Sequence, residues 1–356
     1  MQVLPPSQLR LSRRQLLRWG AIGGLGLMGS CARPSSAQLL YSSGQMPAAW
    51  LKRLPDPWRG EAKEGPGELL SQLSSADLLQ WPEGWIGDLS GEQLQPFAPP
   101  DTPEATRLFA DLAPFAGPIS HLFGDPAAAP IAYPWAFGTW WLVLRNRQDL
   151  AERRAEGWSL LLDASLKGLL VLPSSPRVVI ELCLRQLGLA SQDEGALADP
   201  RLLPQLRRLR GQALAFDERD GLNLLLRGKA EAAVVASQRL LPLLRSDLRL
   251  TALLPASGSP LWWNLLLRPA RSREPAPLAW LQQAREPALL SRLLAAGWVP
   301  PLQRQALAAA LQSWPQPIAS LLYPEPAVLA NCNSLSPLRG EARARYQTLW
   351  DQAAPA

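Results

Sequence analysis

The sequence predicts an α/β fold with mostly parallel sheets. Short apolar runs that end in turn residues alternate along the chain with amphipathic segments of helical period. Such alternation is typical of parallel sheets that are covered by helices. The chain has 356 residues, of which 47% are hydrophobic and 19% are charged. It is therefore too apolar to be disordered and long enough for two packed domains.

The first predicted elements lie between residues 38 and 144. A short apolar strand over 38–41 runs into Ser-Ser-Gly, and residues 46–54 predict a helix whose proline is tolerated in the first turn. Residues 77–81 predict a second strand, because the apolar run stops at a Pro-Glu-Gly turn. Residues 131–144 are aromatic and extended, and they predict a long strand.

The second set of elements begins with a buried type of strand over 168–172. Pro176 opens the helix that follows and Gly188 closes it, which is the usual asymmetry of helix ends. The remaining predicted elements are a helix over 222–226 and strands over 232–236, 248–254 and 262–267.

The amino terminus predicts an export signal over residues 1–30. Arg13 and Arg14 form a twin-arginine pair, and residues 19–28 are an apolar run too short for a membrane-spanning helix. The alternative is an ordinary disordered tail. Residues 28–31, Met-Gly-Ser-Cys, resemble a lipobox, so cleavage before Cys31 would leave a diacylated cysteine and a tether over 31–37. We expect a periplasmic protein, either anchored through Cys31 or released.

The net charge excludes a nucleic-acid-binding surface. The formal charge is +6, but four arginines of the first thirty residues supply four of these charges, which leaves +2 for the rest. A nucleic-acid binder would keep a basic face for phosphates. The basic segment 204–210 is read as a solvated helix side, or alternatively as a contact surface for a membrane partner.

The sequence favours a binding protein over an enzyme. His121 is the only histidine and lies between apolar residues, and there is no Gly-x-Ser-x-Gly elbow or metal-binding motif. We therefore expect no catalytic residue, no metal and no cofactor. Cys183 reads as a core residue of an amphipathic helix, although Cys183 and Cys332 could pair in an oxidising compartment.

Several segments together resemble the bacterial periplasmic polyamine-binding proteins, which serve ABC importers. The segments are Ala-Tyr-Pro at 132–134, Lys-Gly at 167–168 before a strand and helix, the Pro-x-x-Gly turn at 255–264, and Gly-Trp-Val-Pro-Pro at 297–301. They follow in the family's order over roughly residues 38–345. The resemblance implies the two-lobed type II periplasmic-binding-protein fold, in which hinge strands join two lobes, each a mostly parallel sheet flanked by helices. The lobes would comprise residues 38–134 with 255–301, and 135–254 with 302–356.

The resemblance also implies partners and a ligand. The chain would be a monomer that binds putrescine or spermidine by lobe closure and delivers it to inner-membrane permease subunits. The implied ligand-binding residues are Ser42, Gln45, Trp85, Trp135, Phe137, Thr139, Ser175, Trp262, Asn264 and Trp298. Along an alternating strand, only one of Trp262 and Trp263 can face the cleft.

The expected ligand residues depart from the family's pattern. Asn264 stands where an aspartate is expected, and Ser175 and Val178 stand where a helix-start Asp and Glu are expected. Ala236 replaces a tryptophan, and Ser42 and Gln45 replace an aromatic pair, so the family's carboxylates are missing at the matched positions. An unpaired buried cation costs several kcal/mol. Two alternatives to a polyamine ligand therefore stay open, namely a non-amine ligand and a structural or assembly role.

Overall fold

A computed structural model describes residues 36–82, 89–99, 102–122, 128–190, 195–217, 220–335, 337–338 and 340–354. The predicted twin-arginine pair, the lipidation site Cys31 and the predicted ligand residue Trp85 lie outside these residues. No helix of the described ranges is both long and apolar enough to span a bilayer.

Eleven strands of the described residues form one mixed sheet. Their bounds are β1 Gln38–Ser42, β2 Arg59–Lys63, β3 Leu78–Pro82, β4 Leu94–Gln95, β5 Ala132–Arg145, β6 Leu170–Leu172, β7 Ala213–Phe216, β8 Ala232–Ala236, β9 Leu250–Leu253, β10 Pro260–Pro269 and β11 Asn333–Ser334.

Helices cover the sheet on the described part of the chain. The α-helices are α1 Ala48–Leu51, α2 Pro66–Ser71, α3 Pro103–Ala110, α4 Gln148–Glu152, α5 Pro176–Gln186, α6 Leu202–Gln212, α7 Gly221–Leu226, α8 Ser237–Leu244, α9 Leu278–Gln283, α10 Pro287–Ala295, α11 Arg304–Gln312, α12 Gln316–Leu322, α13 Pro326–Leu329 and α14 Gly340–Gln352. Short 3₁₀ segments are Leu73–Ser75, Gly91–Gln93, Pro114–His121, Arg154–Leu162, Ala164–Leu166 and Ala196–Ala198.

The strand order shows two parallel halves joined by antiparallel strands. The sheet runs β2-β1-β3-β10-β5-β8-β6-β7. The pairs at both ends, β2-β1-β3 and β8-β6-β7, are parallel. Every antiparallel pair of the described strands involves β5 or β10. The structure thus confirms the α/β class, and we call β1–β3 with β10 the first half and β6–β9 the second half.

β5 is the strand that passes from one half to the other. Its residues 132–139 pair with β10, and residues 140–145 pair with β8 and β9. Because a single strand makes both sets of hydrogen bonds, the change of partner at Thr139 and Trp140 is the covalent crossing between the halves. Apart from Arg145 at its end, β5 is buried along its whole length.

Two expectations from the sequence need correction. The helix predicted over 46–54 is shorter, since α1 ends at Leu51 and the amide of Leu54 turns back to the carbonyl of Leu51 just before Pro55. The sequence did not predict β2, whose first four residues are exposed and carry no apolar pattern. β2 forms because β1 offers it a parallel edge.

The basic segment of α6 is partly covered by another helix, while Arg207 and Arg208 stay exposed. Arg210 donates to the carbonyl of Trp350, and its guanidinium lies 3.9 Å from the ring centre of that residue. Arg207 donates to the carbonyl of Gln352 at 3.0 Å. The carboxyl-terminal helix α14 therefore packs on this face. Cys183 is a buried core residue as predicted, and Cys183 and Cys332 are both free thiols.

Candidate functional site

The candidate site lies where β5 and β10 pair at the junction of the halves. Trp262 is opposite Gly138, and Asn264 is opposite Ala136. Directly opposed residues of an antiparallel pair project from the same face of the sheet. Trp262 and Asn264 therefore share one face of β10, whereas Trp263 projects from the other.

A β-bulge brings Trp135 into this site. The register of β5 on β10 shifts between Asn264 and Leu265, so that Ala136 and Pro134 have partners and Trp135 has none. At a bulge two residues oppose one, which re-aims the extra side chain. The ring of Trp135 accordingly lies 5.1 Å from the ring of Trp298, and not beside Phe137.

A row of tryptophan rings forms one wall of the site. Trp298 meets Trp262 edge-on at 5.9 Å, and Trp135 meets Trp50 at 5.1 Å. Trp50 stacks on Trp280 at 4.2 Å, and each of these two indoles donates to the other's backbone carbonyl. All five residues, Trp50, Trp135, Trp262, Trp280 and Trp298, are at most 9% exposed. We call them the tryptophan row.

Two close approaches join the tryptophan row to the start of α8 in the second half. The Trp262 indole donates to Ser237 Oγ at 3.2 Å, and a side chain on Gly138 would overlap both groups. Gly297, with φ of +86°, packs its Cα against the backbone of Gln238. The structure is therefore in an arrangement in which the two halves touch across the site.

A chain of amide hydrogen bonds forms the polar part of the site. The Ser42 amide donates to Gln80 Oε1 at 2.9 Å, and Gln80 Nε2 donates to Asn264 Oδ1 at 2.6 Å. Asn264 Nδ2 then donates to the carbonyl of Gln45 at 3.2 Å. A backbone donor stands at one end and a backbone acceptor at the other, so both side-chain amides have one allowed orientation. We call Ser42, Gln45, Gln80 and Asn264 the amide node.

The site contains no buried charge of its own within the described residues. In these ranges Glu181 is the one buried carboxylate, and it accepts from Asn333 Nδ2 at 3.0 Å, outside the node. The buried cations are also bound: Lys63, the register partner of Ser42, contacts Glu61 at 2.5 Å, and Arg268 donates to carbonyls. The tryptophan row and the amide node therefore offer ring faces and neutral hydrogen-bonding groups.

The structure brings most, but not all, of the predicted ligand residues together. Ser42, Gln45, Trp135, Trp262, Asn264 and Trp298 belong to the amide node or the tryptophan row. Phe137 lies on the opposite face against Trp263, and Thr139 Oγ1 accepts from the indole of Trp141. Ser175 is half-buried before α5, at the end of β6.

Several residues of the site were not singled out from the sequence. Gln80 carried a signal, because it is one polar residue within the otherwise apolar run of β3. Trp50 and Trp280 carried none beyond their type, since their contact joins distant parts of the chain. Ser237 and Gly138 are assigned only by the position of the Trp262 ring.

A cavity of about 400 Å³ lies on the opposite face of β10, away from the tryptophan row. Phe115, Arg304 and Tyr323 are among its lining residues, and Phe115 and Tyr323 pack on Phe137. Arg304 is already bound there to the carbonyls of Tyr323 and Pro324. The described residues contain no group of His, Cys, Asp and Glu that could hold a metal ion.

No family model matches the sequence, and no curated protein matches it closely enough to be aligned. Solved structures do match. The spermidine/putrescine ABC transporter substrate-binding protein PotD from Streptococcus pneumoniae superimposes with a TM-score of 0.72 and 16% identity, over 89% of this chain and 98% of that one. The TpPotD lipoprotein of Treponema pallidum gives 0.68 and 15%, over 89% and 98%.

The PBP MotA from A. tumefaciens, solved in complex with glucopine, gives a TM-score of 0.62 with 13% identity, over 89% of this chain and 100% of that one. At these identities the likeness shows the fold, which is that of the type II periplasmic binding proteins. The resemblance to polyamine-binding proteins that the sequence motifs indicated is thus confirmed at the level of the fold. The similar structures carry different ligands in their names, so the fold leaves the ligand open.

Proposed function

We propose that the chain is the extracytoplasmic solute-binding component of an ABC importer and that it binds a small molecule between its halves. One observation carries the proposal. The tryptophan row and the amide node share one face of β10 through Trp262 and Asn264 and are largely buried, in a chain with the fold of binding proteins. Concave aromatic walls with a few fixed polar groups are typical of small-molecule sites.

Binding would work by closure of two lobes, for which we propose residues 38–134 with 255–301 and 135–254 with 302–356. The passage of β5 from β10 to β8 supports this division, because a strand shared by the two halves of the sheet can act as a hinge. In closure, α8 would bring Ser237 and Gln238 onto Trp262 and Gly297. No step of this mechanism makes or breaks a covalent bond, and we propose that the chain is not an enzyme.

The ligand remains to be assigned among several classes. Spermidine and putrescine stand in the name of the Streptococcus pneumoniae protein, whereas the A. tumefaciens protein was solved with glucopine. A structural or assembly role is the second candidate function, and the replacement of the family's carboxylates by neutral residues supports it. We propose that the chain is a monomer and that its protein partners are the permease subunits of the inner membrane.

Small-angle scattering tests the proposal, since only a working binder compacts when a ligand is added. For a compound that compacts the wild-type protein, we expect Trp262→Ala to weaken binding by about 2 kcal/mol or more, as loss of a buried aromatic anchor does. Trp263→Ala is the matched control. Its ring lies on the other face against Phe137, so this change should lower stability rather than affinity. If no compound compacts the protein, the structural or assembly role is the remaining candidate function.

Export and anchoring are a separate proposal, because residues 1–35 lie outside the described ranges. We propose a twin-arginine signal over 1–30 and lipidation at Cys31. Changing both Arg13 and Arg14 to lysine should stop export. Arginine and lysine carry the same charge, but they differ in shape and in the hydrogen bonds that they donate. Cys31→Ala should release the exported protein from membranes in fractionation. Normal export of the first variant would contradict the twin-arginine signal. Full membrane retention of the second would contradict lipidation at Cys31.

A further inference from the structure

The hydrogen-bonding groups left over in the site indicate which ligand it can hold. In the amide node, Asn264 Oδ1 is occupied by Gln80 and Gln80 Oε1 by the Ser42 amide. Asn264 Nδ2 presents its hydrogens to Gln45. Each of these two amide oxygens therefore already accepts one hydrogen bond, and an ammonium group would have only their second lone pairs.

Two buried polar atoms of residues at the site have no partner among the described residues. Trp135 Nε1 belongs to a residue of the tryptophan row that is 2% exposed, and Gln238 Oε1 belongs to the residue whose backbone packs on Gly297. An indole nitrogen can only donate, and an amide oxygen accepts. The indole of Trp81 and Ser42 Oγ also lack a partner there, but Trp81 projects from the face of β3 opposite Gln80, and the register of β1 on β3 puts the Ser42 side chain on that same face. Unsatisfied buried groups of this kind are uncommon in native proteins, and a ligand can satisfy them.

Each charged ligand meets a specific obstacle. A diammonium ligand would find one free amide oxygen and no buried carboxylate in the described site, and an unpaired buried charge is costly. An anion would have to displace Glu61 from Lys63, the cation next to Ser42 in the sheet. An uncharged molecule needs neither rearrangement.

We infer that the site binds an uncharged, hydroxyl- or amide-bearing small molecule and discriminates against polyamines. This inference rests on the proposed function. The ligand would present an oxygen to Trp135, donate a hydrogen bond to Gln238, and lay its apolar face on the tryptophan row. The aromatic wall of a polyamine site is retained here, while its charge is not.

Three probes with the same four-carbon chain test the inference, namely putrescine, 1,4-butanediol and succinate. Their binding is measured by titration calorimetry and by the shift of the melting temperature. We expect 1,4-butanediol to half-saturate the protein at a concentration at least about tenfold below that of either charged probe. Tighter binding of putrescine or of succinate would overturn the inference.

Asn264→Asp sharpens the test, because the new carboxylate would face the Gln45 carbonyl without a proton to share. A bound ammonium relieves this repulsion, so the affinity for putrescine should rise by about tenfold or more. Asn223→Asp on the exposed side of α7 is the matched control and should leave putrescine binding as in the wild type. An equal response of both variants would show that the amide node does not face the ligand.

Failure of the inference is distinguishable from failure of the proposed function. Suppose that none of the three probes binds while another compound compacts the protein in scattering. An uncharged compound would then support the inference, and a compound that is a cation or an anion at neutral pH would overturn it. If no compound compacts the protein, the proposed function itself fails.

Discussion

Replacing Gly297 with alanine is expected to lower ligand affinity by about a hundredfold. The new Cβ would lie 2.6 Å from the carbonyl oxygen of Gln238, so the loop and the start of α8 must separate by at least about 0.8 Å to reach an ordinary contact of 3.4 Å. Packed interfaces do not absorb such a change without loss of contacts. If the closed arrangement loses about 2.7 kcal/mol, the apparent Kd rises about a hundredfold.

Gly188→Ala separates the clash from the backbone conformation. Gly188 has φ of +71°, close to the +86° of Gly297, but a Cβ there meets no atom within 4 Å. Both variants carry the cost of an L-residue in the left-handed region, about 1–2 kcal/mol. Affinity is measured by calorimetry with the compound that compacts the wild type, and stability by denaturant unfolding. Equal loss of affinity in both variants would mean that the contact with Gln238 plays no part in closure.

The sequence predicts those strands that consist of apolar residues and are therefore buried. The runs over 168–172, 232–236 and 262–267 are short, apolar and bounded by turn residues, and strands β6, β8 and β10 form there. β2 is different, because Arg59–Lys63 has no apolar pattern and its strand depends on the free edge of β1. Its formation is a long-range event that local propensity does not contain.

The site was predictable in part for the same reason. The spacing of Trp262 and Asn264 puts them on one face of a strand, and the structure agrees. The place of Trp135 depends on a register mismatch between β5 and β10, which neither strand's sequence shows by itself. The locked orientation of Asn264 depends on Gln80 from a third strand. Contacts that need three distant segments exceed what periodicity can predict.

Removing the side chain of Arg185 is expected to destabilise the protein by about 3–5 kcal/mol, as loss of one partner of a buried ion pair does. Arg185 on α5 donates to the backbone carbonyls of Ser257 and Asn331 and to the side chain of Asn333. Glu181, which is 1% exposed, lies 3.7 Å from its guanidinium. Burial lowers the pKa of Arg185, and the Glu181 carboxylate opposes this shift. Without Arg185, a buried carboxylate loses its cation and two carbonyls lose their donor.

The test compares Arg185→Met, alone and with Glu181→Gln, by denaturant unfolding. The double variant should recover part of the loss, because the substituted amide is uncharged and its oxygen can still accept from Asn333. Arg201→Ala is the matched control. Its partner Asp199 sits in an exposed pair, so this change should cost much less than Arg185→Met. A double variant no more stable than Arg185→Met would show that the loss arises from the carbonyls of Ser257 and Asn331. In that case Arg185 stabilises the protein through hydrogen bonds that join α5 to the segments flanking β10 and β11. The charge of Glu181 would then contribute nothing to the loss of stability.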